Sequence, residues 1–382
     1  MKKIVSFILA AGIALSFFSI SSGCEAPLEI TAKSALLMDK GSGQVLYAQN
    51  CDEKLPIASV TKIMTLLLAA EALGKGALSM DDMIQTSAYA SSMDGSVIWL
   101  ESGEKMSAYD MLRSIVISSA NDACVAVAEY IGGSEEEFVK LMNAKAKTLG
   151  MSNTHFENCV GYDDPLHYSN ARDVAKMAAA LRNYDVYDEF LLTRLSSVRT
   201  GTERETQLLN TNKLISSYNG ITGLKTGTTD GAGYCFAGTA KRGEMELIAV
   251  VLGAESDSSR FEQAEMLLDY GFTGFEVFVP QFEAERLAPA EVTKGTEKTV
   301  ALGIDRGGSC IVPKGKSAEV TYNYVVSRTV EAAIEQGQKV GKVQAVLDEQ
   351  VIFETDVVAI SAVERMTFLK SWELILGGLF TM

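Results

Sequence analysis

The chain has 382 residues, 47% hydrophobic and 22% charged, which is enough material for a full core and, by length, for two domains. Its formal net charge of −15 argues against a general phosphate-binding surface, so no nucleic acid partner is expected and the excess acid reads as solvated surface.

At the N-terminus Lys2 and Lys3 precede an apolar run from Ile4 to about Ile20, followed by small residues. That is the pattern of a secretory signal, with residues 1–26 removed by cleavage after Ala26. In the alternative, Cys24, preceded by Ser22 and Gly23, is a lipid-bearing cysteine, although Ser21 stands where such signals usually carry leucine. Export permits disulfides among Cys51, Cys124, Cys159, Cys235 and Cys310, but their number is odd and no C-x-x-C occurs. They read as buried thiols, with no metal ligation implied.

Residues 35–39 and 44–48 flank Lys40-Gly41-Ser42-Gly43 and predict a β-hairpin. The apolar run that follows, from Leu55 to Leu73, predicts a helix stopped by Gly74. Residues 107–150 read as helical throughout, with capping boxes at Ser107/Asp110 and Ser134/Glu137 and stops at Gly132, Gly133 and Gly150. From Ile221 the texture changes to short β-like runs, with Lys241-Arg242-Gly243 as a turn, and a helix from Arg260 to Tyr270 closes the region. Strands at both ends enclose a helical middle, which predicts one α/β (α+β) domain over 27–276 whose terminal segments share a sheet.

Beyond Val277, alternating Val, Ile and Tyr with Gly or Pro breaks predict a small all-β domain over 277–361. In the last segment, 362–382, Phe368, Leu369, Trp372, Ile375, Leu376, Leu379 and Phe380 fall on one helical face, opposite Lys370, Ser371 and Glu373. This helix is too short and too polar to span a bilayer. It is expected to lie in the membrane surface as an anchor, the alternative being a helix docked on the protein's own core.

The chemistry is carried by three short stretches. Ser59 and Lys62 are three residues apart at the start of the first helix, so they share a face, and the positive end of the helix dipole favours negative charge on the serine oxygen. A serine hydroxyl needs a base, and a lysine becomes one when burial or a neighbouring cation lowers its pKa. Ser-x-x-Lys alone is weak evidence, because a surface lysine gives the same spacing. Ser119-Ala120-Asn121 and Lys225-Thr226-Gly227 complete the ordered signature Ser-x-x-Lys, Ser-x-Asn, Lys-Thr-Gly, on a helix start, an inter-helix loop and a strand.

With these motifs the chain, from about Ala35 to its end, resembles the low-molecular-mass penicillin-binding proteins, serine-type D-Ala-D-Ala carboxypeptidases of peptidase family S11. The resemblance implies a β-lactamase/transpeptidase-like fold with helices around an antiparallel sheet. It implies that Ser59 attacks the carbonyl between two D-alanines of a peptidoglycan stem peptide, with Lys62 as base and Ser119 relaying a proton to the leaving amine. Asn121 would bond the substrate backbone and orient Lys62. Lys225 would hold down the Lys62 pKa and attract the terminal carboxylate, Thr226 would bond that carboxylate, and Gly227 would let the peptide approach the strand edge. The amides of Ser59 and Thr228 would form the oxyanion hole, and Arg260 would lie near the carboxylate pocket. A second arginine carried by some members is replaced here by Thr211. No cofactor or metal is implied, β-lactams are implied as inhibitors, and the protein is placed on the extracytoplasmic face of a bacterial membrane.

Other readings are weaker. No G-x-S-x-G elbow supports a Ser-His-Asp hydrolase. His155 and His167, near Glu157, Asp163 and Asp164, lack H-E-x-x-H spacing and read as loop histidines. Gly315-Lys316-Ser317 reads as a hairpin turn. A class A-like β-lactamase shares the trio but adds a glutamate for deacylation, for which only Glu157-Asn158 stands in the right region, without an obvious match. A non-catalytic peptidoglycan-binding module would be favoured by loss of Ser59, Lys62 or Lys225, all of which are present.

Overall fold

The computed structural model describes residues 28–305 and 307–372. The expected signal segment with Cys24 and Ala26, and the final helix beyond residue 372, lie outside the described residues.

Strands β1 (Ser34–Asp39) and β2 (Val45–Gln49) form the expected hairpin, closed by Asp39, whose carboxylate accepts from Ser42 N (2.6 Å) and Ser42 Oγ (2.7 Å). Helix α1 (Lys62–Gly74) follows, then the short pair β3 (Met83–Gln85) and β4 (Lys105–Ser107). Three helices come next: α2 (Ala108–Ser118), α3 (Asn121–Gly132) and α4 (Glu135–Thr148). The two predicted caps form on one side only. Ser107 and Ser134 accept from the amides of Asp110 and Glu137, but the acidic side chains turn outward to Arg113 and Lys140.

The stretch that carried no sequence signal contains α5 (Ala171–Leu181), α6 (Asp188–Leu192) and the hairpin β5 (Leu195–Val198) with β6 (Thr206–Leu209). Then come β7 (Ile221–Thr229), β8 (Gly233–Arg242) and β9 (Met245–Ala254), and helix α7 (Asp257–Gly274), longer at both ends than expected, its start set by Ser256, which caps it.

The main sheet is antiparallel, in the order β2-β1-β9-β8-β7, so the two ends of the unit meet where β1 pairs with β9. Every residue of β1 is buried because both faces of the sheet are covered. Leu36, Met38, Ile248 and Val250 face the core of α1 to α5. Ala35, Leu37, Leu247 and Val251 face Phe261, Ala264, Leu267 and Leu268 of α7. The alternation thus divides one strand between two cores.

Helix α7 runs straight into β10 (Phe275–Phe278), which pairs with β14 (Cys310–Pro313). The other strands of this second unit are β11 (Ala290–Thr293), β12 (Thr299–Val300), β13 (Leu302–Ile304), β15 (Thr321–Val326), β16 (Thr329–Glu331), β17 (Lys339–Leu347) and β18 (Gln350–Ala359). They form the sheets β12-β11-β16 and β13-β18-β17-β15 around a separate apolar core that includes Ala290, Val343 and Val357. Ile311, on β14, packs into the α7 core and its amide donates to Gln44 Oε1 (3.3 Å), so the two units are in direct contact. At the end of the described chain a helix begins, with Phe368 78%, Leu369 76% and Trp372 49% exposed. No helix among the described residues is long and apolar enough to cross a membrane.

Candidate active site

Ser59 lies in a single 3-10 turn, Ala58–Thr61, ahead of α1, and Lys62 is the first residue of that helix. The turn is clamped by neighbouring backbone. Gly161, in the loop after α4, lies so close that a Cβ there would stand 1.9 Å from the carbonyl oxygen of Ala58.

Lys62 is fully buried, with Nζ 2.8 Å from Ser59 Oγ and donating to the Val160 carbonyl (2.8 Å). Burial lowers its pKa to about 8, against a smaller opposing effect of the Cys124 and Cys159 thiols. Lys225, in β7, is also buried and donates to the carbonyl of Thr226 (3.0 Å). Its pKa falls well below the usual lysine value through burial first, then the charges of Lys62 and Arg260. Burial is the first cause on both lysines, and the repulsion between their two charges disfavours protonation of the pair.

Ser119 caps α2 in the left-handed conformation (φ 63°), and its buried Oγ has no partner. Asn121 opens α3. Its Nδ2 donates to the Asp94 carbonyl (2.7 Å) and to Tyr162 Oη (3.4 Å), while its buried Oδ1 is unpaired. Asn121 makes no hydrogen bond to Lys62, whose Nζ meets Ser59 Oγ and Val160 O.

Strand β7 is the free edge of the main sheet and runs along the turn of Ser59. Gly227 is required for that approach. A Cβ there would meet Ile57 O at 2.8 Å and the amides of Ser59 and Val60 at 2.9 Å, so the missing side chain lets the Ser59 turn seat against the strand. Thr226 Oγ1 donates to Thr211 Oγ1 (2.8 Å), at the position where the second arginine was missing. Thr228 is exposed and follows Gly227, the residue that packs on the Ser59 amide.

Arg260 is 6% exposed, not the solvated helix-start arginine of the simpler reading. Its Nη1 donates to Gly227 O and Thr228 Oγ1, both at 3.0 Å, and Nη2 pairs with Asp257. It braces β7 from behind, and Asp257 already answers its charge, so it reaches the site through Thr228.

Sequence reasoning missed Asp94, Val160 and Tyr162, and met Asp163 only in the metal reading it set aside. The last accepts from Thr229 Oγ1 (2.7 Å) and Gly231 N (3.1 Å), tying the loop after α4 to the β7–β8 turn. No spacing rule joins such residues, since they come from loops far apart in the chain. His167 is a buried loop residue. Nδ1 accepts from Glu157 N (3.1 Å), which leaves Nε2 to donate to Thr61 Oγ1 (2.8 Å), so neither ring nitrogen is open to a metal. The carboxylate of Glu157 pairs with His155 at 3.3 Å.

Comparison with known proteins agrees with this geometry. The family model described as D-alanyl-D-alanine carboxypeptidase matches residues 21–256, and that of the penicillin-binding protein 5 C-terminal domain matches residues 276–365. The chain is 40% identical over 379 residues to the D-alanyl-D-alanine carboxypeptidase DacF of Bacillus subtilis (strain 168), covering 97% of each chain. It is 36% identical over 383 residues to DacC of Escherichia coli (strain K12), covering 96% of this chain and 94% of that one. Among solved structures, penicillin binding protein 5 from Haemophilus influenzae superposes with a TM-score of 0.82 at 31% identity, over 90% of this chain and all of the other.

Proposed function

The chain belongs to the D-alanyl-D-alanine carboxypeptidases, the low-molecular-mass penicillin-binding proteins of peptidase family S11, and we propose that Ser59 is the residue it acylates. The enzyme is a serine-type D-Ala-D-Ala carboxypeptidase that removes the terminal D-alanine from peptidoglycan stem peptides.

In the proposed mechanism neutral Lys62 takes the proton of Ser59 as Oγ bonds to the carbonyl carbon of the penultimate D-alanine. The amides of Ser59 and Thr228 receive the oxyanion, each donor contributing about 3 kcal/mol in comparable sites. The tetrahedral intermediate collapses with loss of D-alanine, whose nitrogen takes its proton through Ser119, and water then hydrolyses the ester. Asn121 Oδ1 accepts from the substrate backbone, and Lys225, Thr226 and Thr228 hold the terminal carboxylate. β-Lactams present a strained amide to the same atoms and acylate Ser59.

The observation that carries this reading is a fully buried lysine whose Nζ stands 2.8 Å from a serine oxygen at the foot of an edge strand. We further propose residues 27–276 as the catalytic domain and 277–361 as a β domain. The exposed apolar side chains of Phe368, Leu369 and Trp372 support residues 362–382 as a membrane-surface anchor on the extracytoplasmic side, after export through residues 1–26.

The test is intact-mass spectrometry with penicillin beside D-alanine release from a pentapeptide ending in D-Ala-D-Ala. A slow-clearing adduct absent in Ser59→Ala, with D-alanine release, is the expected result. Rapid penicillin turnover without peptide cleavage would overturn it.

A further inference from the structure

Trp99, in the loop between β3 and β4, is 69% exposed and has a left-handed backbone (φ 54°), uncommon for so bulky a residue. Its surroundings over-determine that conformation. The amides of Ile98 (3.1 Å) and Leu100 (2.9 Å) both donate to Asp122 Oδ2, a carboxylate only 1% exposed. The carbonyl of Ile98 accepts from Arg199 (2.9 Å) and that of Trp99 from Arg204 (2.7 Å). Ile98 and Leu100 point inward and are buried, so the strain and the bonds together present one indole to solvent. Trp99 lines an open groove together with Arg199, Arg204, Glu205, Thr206 and Gln207.

The geometry points to a glycan-binding subsite: the indole of Trp99 stacks on a sugar ring of the peptidoglycan strand whose stem peptide occupies the catalytic cleft. The inference rests on the carboxypeptidase reading above. An aromatic side chain among planar polar ones suits a ring with apolar C–H faces and equatorial hydroxyls. Charge argues against an anionic polymer, because Arg199 pairs with Glu104 (2.6 Å) and Arg204 with Glu104 (2.9 Å) and Glu101 (3.3 Å), leaving no unanswered guanidinium in the groove. Reach allows it: Asp94 bonds Asn121 and Trp99 is five residues further on, so the Asp94 and Trp99 backbones are at most about 17 Å apart, no more than the extended length of five residues of peptide.

The test compares Trp99→Ala, Trp99→Phe and the native full-length chain on two substrates: a free pentapeptide ending in D-Ala-D-Ala, and glycan strands bearing uncrosslinked pentapeptides. Trp99→Ala should raise KM on the strands about five- to tenfold, the effect of losing one aromatic contact, with kcat and the free-peptide constants unchanged. Trp99→Phe should recover most of the loss. Equal losses on both substrates, or none on the strands, overturn the proposal. A direct reading uses Trp372→Phe, which leaves Trp99 as the single indole, titrated with strands stripped of their peptides. Saturable change in its emission is expected. No change, or a change that follows protein concentration without glycan and so reports a second copy in the groove, overturns the subsite. Failure of the native chain to release D-alanine from either substrate would instead sink the carboxypeptidase reading, and the emission titration would still decide the subsite.

Discussion

Gly227 of the edge strand rests against the amide of Ser59 so closely that a β-carbon on it would stand 2.9 Å from that nitrogen. The same methyl would press on Ile57 O at 2.8 Å, and all these neighbours are backbone that cannot rotate away. Gly227→Ala must therefore displace either β7 or the turn that carries the nucleophile. Because a shift of about 1 Å in a reacting group can cost about a hundredfold, penicillin acylation should fall by that order. The chain should stay folded with a lowered melting temperature. Acylation within a few-fold of native would show that the close approach is not needed.

Lys62 is held at about 8 by burial, so at neutral pH only about one molecule in ten carries the free amine. The neutral form is the base. The second-order acylation rate should thus rise roughly tenfold per pH unit below 8 and level off above it. Lys62→Arg, whose guanidinium keeps its proton, should abolish acylation across the range. A flat native profile between pH 6 and 9 would contradict a lysine base.

The residues proposed for catalysis were legible as an ordered set of three motifs, and the structure brings Lys62 Nζ to 2.8 Å from Ser59 Oγ and puts Lys225-Thr226-Gly227 on one strand. The pairing of β1 with β9 followed from the β-like texture at both ends of the unit. Roles that depend on distant loops were not legible. Asn121 was expected to orient Lys62, yet the contacts that fix the two residues come from elsewhere in the chain: Asp94 O, 27 residues away, holds the Asn121 Nδ2, and Val160 O holds Lys62. The hairpin β5–β6 was equally hidden, since Leu195 and Leu209 are exposed and its strands lack a clean alternation.

Tyr162 and Asp94 form a latch over Asn121. The phenol lies 2.7 Å from Asp94 Oδ1, accepts from Asp94 N (3.2 Å), and has its pKa raised to about 12 by burial and that carboxylate, so it remains a donor. Tyr162→Phe keeps the ring and removes the latch. The Asn121 amide is then less well fixed, and KM for the pentapeptide should rise several-fold, with stability lower by about 1 kcal/mol. Asp94→Ala should do the same, and the double variant should be no worse than either single one. Fully additive losses would mean that the two residues act separately.

Acid stability should be set in part by His167. Its pKa is lowered to about 4, first by burial, then by His155, against the opposing charges of Asp164 and Asp163. The unfolded state, near 6.5, binds the proton more readily, so the contribution is complete above pH 6.5 and is lost as pH falls toward 4. The total is about 3 kcal/mol, since a tenfold change in proton affinity is worth about 1.4 kcal/mol. Protonation would also put a second N–H where Nδ1 accepts from Glu157 N, loosening the contact of the ring with Thr61, the residue before Lys62. In His167→Gln, urea unfolding should show lower stability at pH 7.5 but a shallower decline toward pH 4.5, so that the two curves converge. The carboxylates that titrate in the same range are common to both chains and cancel in the difference. Parallel curves would show that the histidine does not couple folding to pH.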